Sequence, residues 1–528
     1  MAKDLLHALA AVLLLSLCLA GCDDTAATSA QGSAPVTEAA ATDYIGSAAC
    51  AGCHQQAWQH WQQSHHQLAM AQADASTVLG DFADAQLRYG AHSSRFQTQG
   101  TNYVVTMPEG QAGLKEVTVR YTFGVEPLQQ YLVDMGNGRL QALPMVWDSR
   151  DQPVAAGQVP HQGGWFHLNP HIQSPEDPEH WSRGGQNWNH MCADCHSTAV
   201  RKNYQPADGT FATEFAEISV GCEACHGPGS AHAGAPQQVS LPTLAAPKDQ
   251  LNACARCHSR RSQLAEGFSP AHNYLDYYLP ALLDEGLYHP DGQINDEVFV
   301  YGSFLQSKMH GAGVTCTNCH EPHSAKLKAR DNALCTQCHN PAGRPEFPSL
   351  VAAHYDSRDH HFHPPTSQGA QCVSCHMPEK VYMGIDGRRD HSFRVPRPDL
   401  SQSTGAPDAC TSCHSTQTPQ WAAAAIAAHV GKAKGPDLDS TPHYGVVFAL
   451  ARDGQLAAEP GLVAIASDPS QAAIVRATAL SLMAGYQRQN SAAALVQGLN
   501  SESALQRIGA IRGAARWSFA ERWRRLRR

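Results

Sequence analysis

The pentapeptide Cys-x-x-Cys-His occurs eight times in this chain of 528 residues. Chance placement of 18 cysteines and 30 histidines would give well under one copy. Two thiols three positions apart lie on the same side of a short helical turn, and the histidine follows at once. The motifs, numbered 1 to 8 in chain order, consist of Cys50, Cys53 and His54; Cys192, Cys195 and His196; Cys222, Cys225 and His226; Cys254, Cys257 and His258; Cys316, Cys319 and His320; Cys335, Cys338 and His339; Cys372, Cys375 and His376; and Cys410, Cys413 and His414.

This spacing is typical of attachment sites for c-type haem. Both thiols bond to the porphyrin, and the histidine is the proximal ligand of the iron. Zinc sites also use Cys-x-x-Cys pairs, but they do not require a histidine directly after the second cysteine. The sequence therefore predicts eight covalently bound haem c groups with the motif histidines as proximal ligands.

The eight motifs use all but two of the 18 cysteines, and the two that remain are Cys18 and Cys22. No cysteine in the rest of the chain is left for a disulfide or a thiol nucleophile. Covalent attachment of haem takes place outside the bacterial cytoplasm. The cysteine usage therefore predicts an exported protein.

The N-terminus has the pattern of an export signal. Lys3 precedes an apolar run from Leu5 to Ala20, which is typical of a signal peptide rather than of a membrane span. The ending Leu19-Ala20-Gly21-Cys22 resembles a bacterial lipobox. It implies a lipoprotein signal peptide over residues 1–21 and a lipid anchor at Cys22, whereas the alternative is an ordinary signal peptide with an incidental cysteine.

The residues after Cys22 suggest where the protein is held. Asp23 and Asp24 favour retention at the inner membrane, so a periplasmic, lipid-anchored protein is expected. Residues 22–43 are rich in Ala, Thr and Ser and are predicted to be a flexible tether.

The formal net charge of −9 disfavours nucleic acid as a partner. Residues 507–528 break this pattern, because they contain eight arginines and one acid, Glu521. We interpret the segment either as a solubilising helix end or as a contact with anionic lipid or an acidic partner.

The spacing of the motifs predicts an octahaem domain over residues 44–418. From Cys192 to His414 the loops between motifs are too short for a conventional hydrophobic core, so the porphyrins must supply much of the buried apolar surface. The expected body consists of short helices and irregular loops wrapped around haem.

Two regions depart from that pattern. A β-rich insertion is expected at about 95–168, because Glu116–Phe123 alternates apolar and polar residues and Asn102–Met107 could pair with it. Residues 419–528 are predicted to be helical, and two segments with arginines 31 positions apart, Arg476 and Arg507, resemble a helical repeat of the HEAT or TPR kind. The predicted fold class is therefore mainly α and irregular, with a small β insertion and C-terminal repeat-like helices.

Several blocks resemble a family of bacterial periplasmic multihaem cytochromes with c-554-type domains. These blocks are Tyr44–Ser47, Trp188–Cys192 and Arg388–Phe393. Trp61–His66 is similar to the Trp-x-x-Ser-x-His stretch that follows the first haem site in that family. The resemblance implies His66 as a second axial ligand with His65 as its reserve, and a redox cytochrome with TPR- or HEAT-like helices behind it.

Other histidines are candidates for the remaining second axial ligands. His310 lies six residues before Cys316, and His323 lies in a sequence that resembles the doubled Cys-x-x-Cys-His family. His190 is an alternative to His180 as a second axial ligand, and His360 and His363 are alternatives to His361. With His66, the candidate set is His180, His232, His289, His310, His323, His361 and His391.

Three functions are compatible with the sequence. Uniform histidine endings and spare histidines favour electron transfer between membrane and periplasmic redox partners, such as a quinol-oxidising module and a periplasmic acceptor. The alternative is a multihaem oxidoreductase acting on a small nitrogen or sulfur compound (nitrite, hydroxylamine or tetrathionate) at one open iron, with His92, His161, His167 and His171 as candidate proton donors. A third hypothesis is a scaffold, in which the C-terminal helices recruit a partner.

Overall fold

The computed structural model describes residues 43–108, 113–150, 164–172, 174–430, 443–486 and 489–517. The predicted signal peptide, the lipid anchor and nearly all of the predicted tether lie outside these residues, as do His161 and residues 518–528 of the arginine-rich segment. Within the described ranges, no helix is both long enough and apolar enough to cross a bilayer.

An antiparallel sheet of nine strands follows the first motif. The order along the sheet is β2-β3-β4-β5-β6-β8-β9, and β1 pairs with β5 while β7 pairs with β6. The strands are β1 Met70–Gln72, β2 Ala83–Tyr89, β3 His92–Gln99, β4 Asn102–Pro108, β5 Leu114–Phe123, β6 Leu128–Asp134, β7 Leu140–Ala142, β8 Met145–Asp148 and β9 Trp165–His167.

The predicted pair of strands is confirmed. β4 and β5 are antiparallel neighbours, with Val105 opposite Val117, and the alternation in β5 buries Val117 and Val119. The sheet is larger than the sequence suggested, since it begins at Met70 rather than near residue 95. The expectation of a mainly α chain is therefore not supported, because a large sheet stands beside the helices.

Aromatic side chains fill the interior of the sheet. The Phe96 and Trp165 rings are stacked with centroids 3.7 Å apart, and Phe82 meets both edge-on. Tyr131 donates to Gln129 at 3.0 Å, so its hydroxyl is satisfied within the core. This core contains none of the haem motifs, and the sheet lies beside the motif 2 region.

The haem-motif region consists of short helices separated by irregular chain. They are α1 Gln55–Trp61, α2 Trp188–Met191, α3 Ala193–His196, α4 Cys222–His226, α5 Ser230–Gly234, α6 Pro247–Ala255, α7 Tyr274–Tyr277, α8 Tyr301–Phe304, α9 Lys308–Gly311, α10 Cys316–Cys319, α11 Ala333–Thr336, α12 Arg358–His361, α13 Cys372–His376 and α14 Ser401–Thr404. Such helices are too short to be stable alone. The two-stranded hairpins among them are β10 Tyr204–Gln205 with β11 Thr210–Phe211, β12 Arg261–Gln263 with β13 Tyr278–Pro280, β14 His320–Glu321 with β15 Lys326–Leu327, and β16 Glu379–Tyr382 with β17 Asp386–Arg389.

The C-terminal helices pack on the cytochrome body. They are α15 Pro419–Val430, α16 Tyr444–Arg452, α17 Glu459–Ser467, α18 Ala473–Leu482, α19 Gln489–Leu499 and α20 Ala504–Gly513. One hydrophobic core joins buried residues of α16–α20 to the segment from Tyr274 to Leu305. Arg512 forms an ion pair with Asp284 at 2.6 Å, and the backbone N–H of Leu283 donates to Thr478 at 3.1 Å. The helices therefore share one hydrophobic core with the cytochrome body. Their resemblance to HEAT or TPR repeats stays a prediction.

Candidate haem-binding sites

A single helical turn places the parts of each motif. α4 and α13 each contain a complete motif. In five others the backbone N–H of the histidine donates to the carbonyl of the first cysteine, at 3.0 Å in motif 1, 3.1 Å in motif 2 and 2.9 Å in motifs 4, 6 and 8. This turn brings both thiols and the imidazole to one side of the chain, as attachment to one porphyrin requires.

Five motif histidines face a second imidazole across a gap. The pairs, with the distance between ring centroids, are His54 and His232 at 6.2 Å, His258 and His66 at 6.3 Å, His226 and His323 at 6.5 Å, His376 and His360 at 6.1 Å, and His414 and His363 at 6.0 Å. The near-constant separation across five unrelated loops indicates a common geometric requirement.

An iron atom with two imidazole ligands meets that requirement. A bond from a metal to an imidazole nitrogen is about 2.0 Å, and the nitrogen lies about 1.1 Å from the ring centre, so rings on opposite sides of one metal have centres about 6.2 Å apart. These five sites therefore fit a haem iron between two histidines.

Hydrogen bonds to backbone carbonyls orient several of these rings through Nδ1. Nδ1 of His226 lies 2.8 Å from the Pro242 oxygen, that of His232 lies 2.7 Å from Val239, and that of His376 lies 2.6 Å from Arg394. A carbonyl only accepts, so Nδ1 carries the proton and Nε2 is free for a metal. The fold therefore supplies the backbone carbonyls that orient these rings as axial ligands.

Desolvation favours the neutral form of two of these rings, those of His258 and His66. Desolvation lowers the pKa of His258 to about 4, and the nearby His66 adds to that lowering. The pKa of His66 is lowered by burial too. A histidine must be unprotonated at the coordinating nitrogen to bind a metal, so both rings are prepared for coordination.

The structure brings some of the predicted second ligands opposite a motif histidine. His66, His232 and His323 lie there, and His65 is exposed. In the cluster at 360–363, the rings that face motif histidines are those of His360 and His363. His361 instead accepts from the backbone of His363 through its ring, so the structure favours its two competitors.

The other predicted second ligands lie elsewhere. His310 lines a cavity of about 240 Å³ with Phe304 and Cys316. His391 is half-buried near His320 and His258. His180 lies beside Trp181 and bonds to Ser182, His190 packs against Tyr204 and Phe211, and His289 lies near Lys380 and Arg452.

Three motif histidines have surroundings of a different kind. Among the described residues, no imidazole faces His196, His320 or His339 at the spacing of the five pairs. The His196 ring is half-buried and meets the Phe123 ring edge-on at 5.6 Å, and the His339 ring meets Tyr355 at 5.5 Å. His391 is the imidazole that interacts with His320.

Two of the candidate proton donors, His92 and His167, lie on strands of the sheet. The His167 ring packs on Tyr89 with centroids 4.5 Å apart, and the His92 ring lies 6.1 Å from the same tyrosine. Burial lowers the pKa of His167 to about 4, with His180 and His171 adding to it. These histidines therefore form a cluster of their own, centred on Tyr89.

Contacts between cysteines reveal the spatial order of the motifs. Four thiol pairs from different motifs interact by side-chain hydrogen bonding, namely Cys50 with Cys222, Cys195 with Cys257, Cys254 with Cys316, and Cys335 with Cys372. Three more pairs are electrostatic neighbours, namely Cys225 with Cys257, Cys319 with Cys338, and Cys375 with Cys413. The motifs therefore follow one another in the order 1, 3, 4, 5, 6, 7, 8, and motif 2 branches off at motif 4.

The order matters because each cysteine sulfur is the atom that bonds to the porphyrin edge. Thiols in contact place the edges of two porphyrins side by side. Cys53 and Cys413 are the two motif cysteines that are exposed, whereas the other fourteen are partly buried. Both ends of the series therefore open to solvent.

A buried ion cluster joins the branch to the main series. Asp194 lies between the cysteines of motif 2, and it accepts hydrogen bonds from Arg256 at 3.1 Å, Arg261 at 2.5 Å and Tyr278 at 2.9 Å. Arg256 lies between the cysteines of motif 4. The two arginines and Tyr278 lower the pKa of Asp194 against the opposing effect of burial. Opposite charges at the variable positions of two motifs were a signal that sequence reasoning overlooked.

Glu321 contacts two histidines, His323 and His60. It accepts from Nδ1 of His323 at 3.0 Å and from the Ser324 backbone at 2.6 Å, and His60 approaches its other oxygen at 3.5 Å. Burial raises its pKa, but the hydrogen bonds from Ser324 and His323 outweigh that effect and lower the pKa to about 2. The side chain is therefore a carboxylate in direct contact with one of the paired imidazoles.

Comparison with known proteins agrees with this geometry. A family model of cytochrome c554 and c-prime matches residues 49–115 and 161–227, and a model of the doubled CXXCH motif matches residues 310–344. No curated protein sequence matches the chain. The matched ranges contain motifs 1, 2, 3, 5 and 6, together with His66, His310 and His323.

Three solved structures of haem proteins resemble the chain to different degrees. The outer cell wall cytochrome OcwA is 19 % identical, with a TM-score of 0.53, 90 % of this chain covered and 99 % of that chain. An undecahaem S-layer cytochrome of Carboxydothermus ferrireducens is 17 % identical over 91 % of this chain and 70 % of its own, with a TM-score of 0.38. The octahaem sulfite reductase MccA of Wolinella succinogenes is 17 % identical over 67 % and 58 %, with a TM-score of 0.33. The last two are too different in overall path to inform the fold.

The fold and the repeated attachment sites define a multihaem c-type cytochrome. Within that class, the chain combines cytochrome c554-type segments with a doubled CXXCH segment.

Proposed function

We propose that this protein is an octahaem cytochrome that conducts electrons between a membrane donor and a periplasmic acceptor. The observation that carries the proposal is the unbroken series of motif contacts from Cys50 to Cys413, with exposed cysteines at both ends. Bound haem supplies a one-electron carrier at each motif. The chain supplies the spacing, the axial imidazoles and the two solvent-facing ends.

The five facing histidine pairs support conduction rather than chemistry at those sites. An iron with two imidazole ligands has no open position for a substrate, and its properties depend on ligand identity, burial and nearby charge. Location at the inner membrane, through lipid on Cys22, is part of the proposal and is supported by the lipobox-like sequence.

The first test counts haems and open irons. Intact mass and the pyridine haemochrome spectrum of the purified protein should give eight haems per chain. Carbon monoxide should bind to no more than three haems of the reduced protein, since the five facing imidazole pairs exclude it. Fewer than eight haems would contradict the count, and carbon monoxide binding at four or more haems would contradict the five paired-ligand sites.

A second function is favoured by one observation, the surroundings of His196. Its ring meets Phe123 at 5.6 Å, and among the described residues no imidazole faces it. An open iron at motif 2 would allow reduction or oxidation of a small nitrogen or sulfur compound. Binding of carbon monoxide by one haem, lost in a Cys192→Ala, Cys195→Ala double variant, would support this alternative.

A further inference from the structure

We propose that Glu321 lowers the reduction potential of the haem at motif 3 by hydrogen bonding to its second axial ligand, His323. The inference rests on the proposed ligation of that haem by His226 and His323, whose rings are 6.5 Å apart and nearly parallel at 16°. It assigns to Glu321 a positioning and tuning role that the haem motifs themselves do not specify.

The hydrogen bond fixes the direction of the His323 ring. Nδ1 lies 3.0 Å from Glu321 Oε1, and a carboxylate can only accept, so the proton is on Nδ1. Nε2 is then the nitrogen free to face His226. The backbone N–H groups of His323 and Ser324 hold the same carboxylate in place, so its position does not depend on the imidazole alone.

This carboxylate distinguishes His323 from the other paired histidines. His226, His232 and His376 direct Nδ1 at backbone carbonyls, and so does His363, toward the His361 oxygen. The His66 ring likewise bonds to the backbone of Pro322. Among the described facing pairs, His323 is the ligand whose Nδ1 meets a full negative charge.

A carboxylate on Nδ1 makes an imidazole a stronger electron donor to its metal, as in carboxylate–histidine–metal triads. Stronger donation and the added negative charge stabilise the ferric state more than the ferrous state. Motif 3 stands between motif 1 and motif 4 in the series. Its haem is therefore expected to be a low-potential step between the motif 1 end and the branch.

The test is the Glu321→Gln variant, which keeps an accepting oxygen but removes the charge. Spectroelectrochemical titration of the holoprotein at pH 8 should show one reduction step moved to more positive potential. We expect about a tenfold change in the ratio of reduced to oxidised haem at fixed potential, which is about 59 mV for a one-electron couple. The other steps should stay in place.

His60→Gln is the matched control, because His60 approaches Oε2 of Glu321 at 3.5 Å, whereas His323 uses Oε1. It should leave every step unchanged. Haem content and the low-spin spectrum of each variant show that the fold and the ligands are retained. If all steps of fully loaded, low-spin Glu321→Gln coincide with the wild type, the proposal is overturned.

A His323→Ala variant separates this proposal from the function on which it rests. If His323 is a ligand, its removal converts one haem to the high-spin state. If all haems stay low-spin, His323 is not the second axial ligand at motif 3, and the proposed role of Glu321 loses its basis. A high-spin change together with an unmoved Glu321→Gln titration would reject the tuning role alone.

Discussion

His65 and His66 are adjacent, yet their surroundings differ completely. The His66 ring lies 6.3 Å from His258 and bonds to the backbone of Pro322, whereas His65 is exposed. Ser64, which is buried, accepts from the backbone of Gln67 at 3.2 Å and fixes the turn that separates the two rings. One residue of register therefore decides which histidine can reach an iron.

His66→Ala should open the haem at motif 4. One haem is expected to become high-spin and to bind carbon monoxide after reduction, because its second imidazole is missing. Electron paramagnetic resonance of the oxidised protein and carbon monoxide titration measure this. His65→Ala is the control and should behave like the wild type; a high-spin haem in that variant instead would reverse the assignment.

Asp194→Asn should destabilise the body strongly. Arg256 and Arg261 would remain buried without their counter-charge, and breaking a buried ion pair on one side costs about 3–5 kcal/mol. Chemical denaturation of the haem-loaded protein gives the free energy of unfolding. Asp208→Asn is the matched control, since Asp208 is exposed and bonds only to neighbouring Thr210. Equal stability of the two variants would show that the ion cluster does not hold motifs 2 and 4 together.

The C-terminal helices are held to one another by very close approaches. A side chain on Gly509 of α20 would place its Cβ 2.1 Å from the Ala477 oxygen of α18, and one on Gly513 would meet the Leu480 oxygen at 2.2 Å. These helices also share a core with the segment from Tyr274 to Leu305. A disturbance in α20 is thus transmitted to the cytochrome body.

Gly509→Ala should therefore lower the stability of the whole protein, by about 1–3 kcal/mol as for other overpacked sites. Gly485→Ala is the control, because a Cβ there meets nothing within 4 Å. Thermal unfolding followed by far-UV circular dichroism compares the two. If Gly509→Ala melts the helices while the haem spectra and the main transition stay unchanged, the C-terminal region is an independent unit.

The sequence was most informative where local chemistry decides the structure. The motif turns follow from spacing, and β4 and β5 follow from alternation. The second ligands were harder, because the partner of His54 is His232 and the partner of His226 is His323, far apart in sequence. The sequence could not show whether His360 or His361 is the ligand. The two are adjacent on α12, and only the rotation of that helix about its axis decides which ring faces a motif histidine. The size of the sheet was missed because β1–β3 contain many polar residues.

On the scale of the whole molecule, the motifs form a series with one branch. Motif 5 links motif 4 to motif 6 through Cys316 and Cys319. Among the described motif cysteines, motif 2 meets the series at motif 4, through Cys195 and Cys257. Loss of an inner member and loss of the branch therefore have different consequences for conduction.

A Cys316→Ala, Cys319→Ala variant should interrupt the series, whereas Cys192→Ala, Cys195→Ala should leave it continuous. Each lacks one haem. The measurement is the current through an oriented monolayer tethered by a Gln56→Cys thiol near motif 1 and contacted from the other side. The motif 5 variant should conduct far less than the motif 2 variant. Equal currents from two folded, seven-haem proteins would contradict the branched order.

The contacts of the N-terminal segment have a consequence for how the molecule is assembled. The backbone N–H groups of Ile45 and Gly46 bond to Glu223, 178 and 177 positions later, and Trp61 donates to the Val220 carbonyl. A chain synthesised from its N-terminus presents motif 1 long before these partners exist. The first attachment site to emerge is thus among the last to be completed, and maturation must keep that early segment open and unaggregated until residues 217–239 arrive.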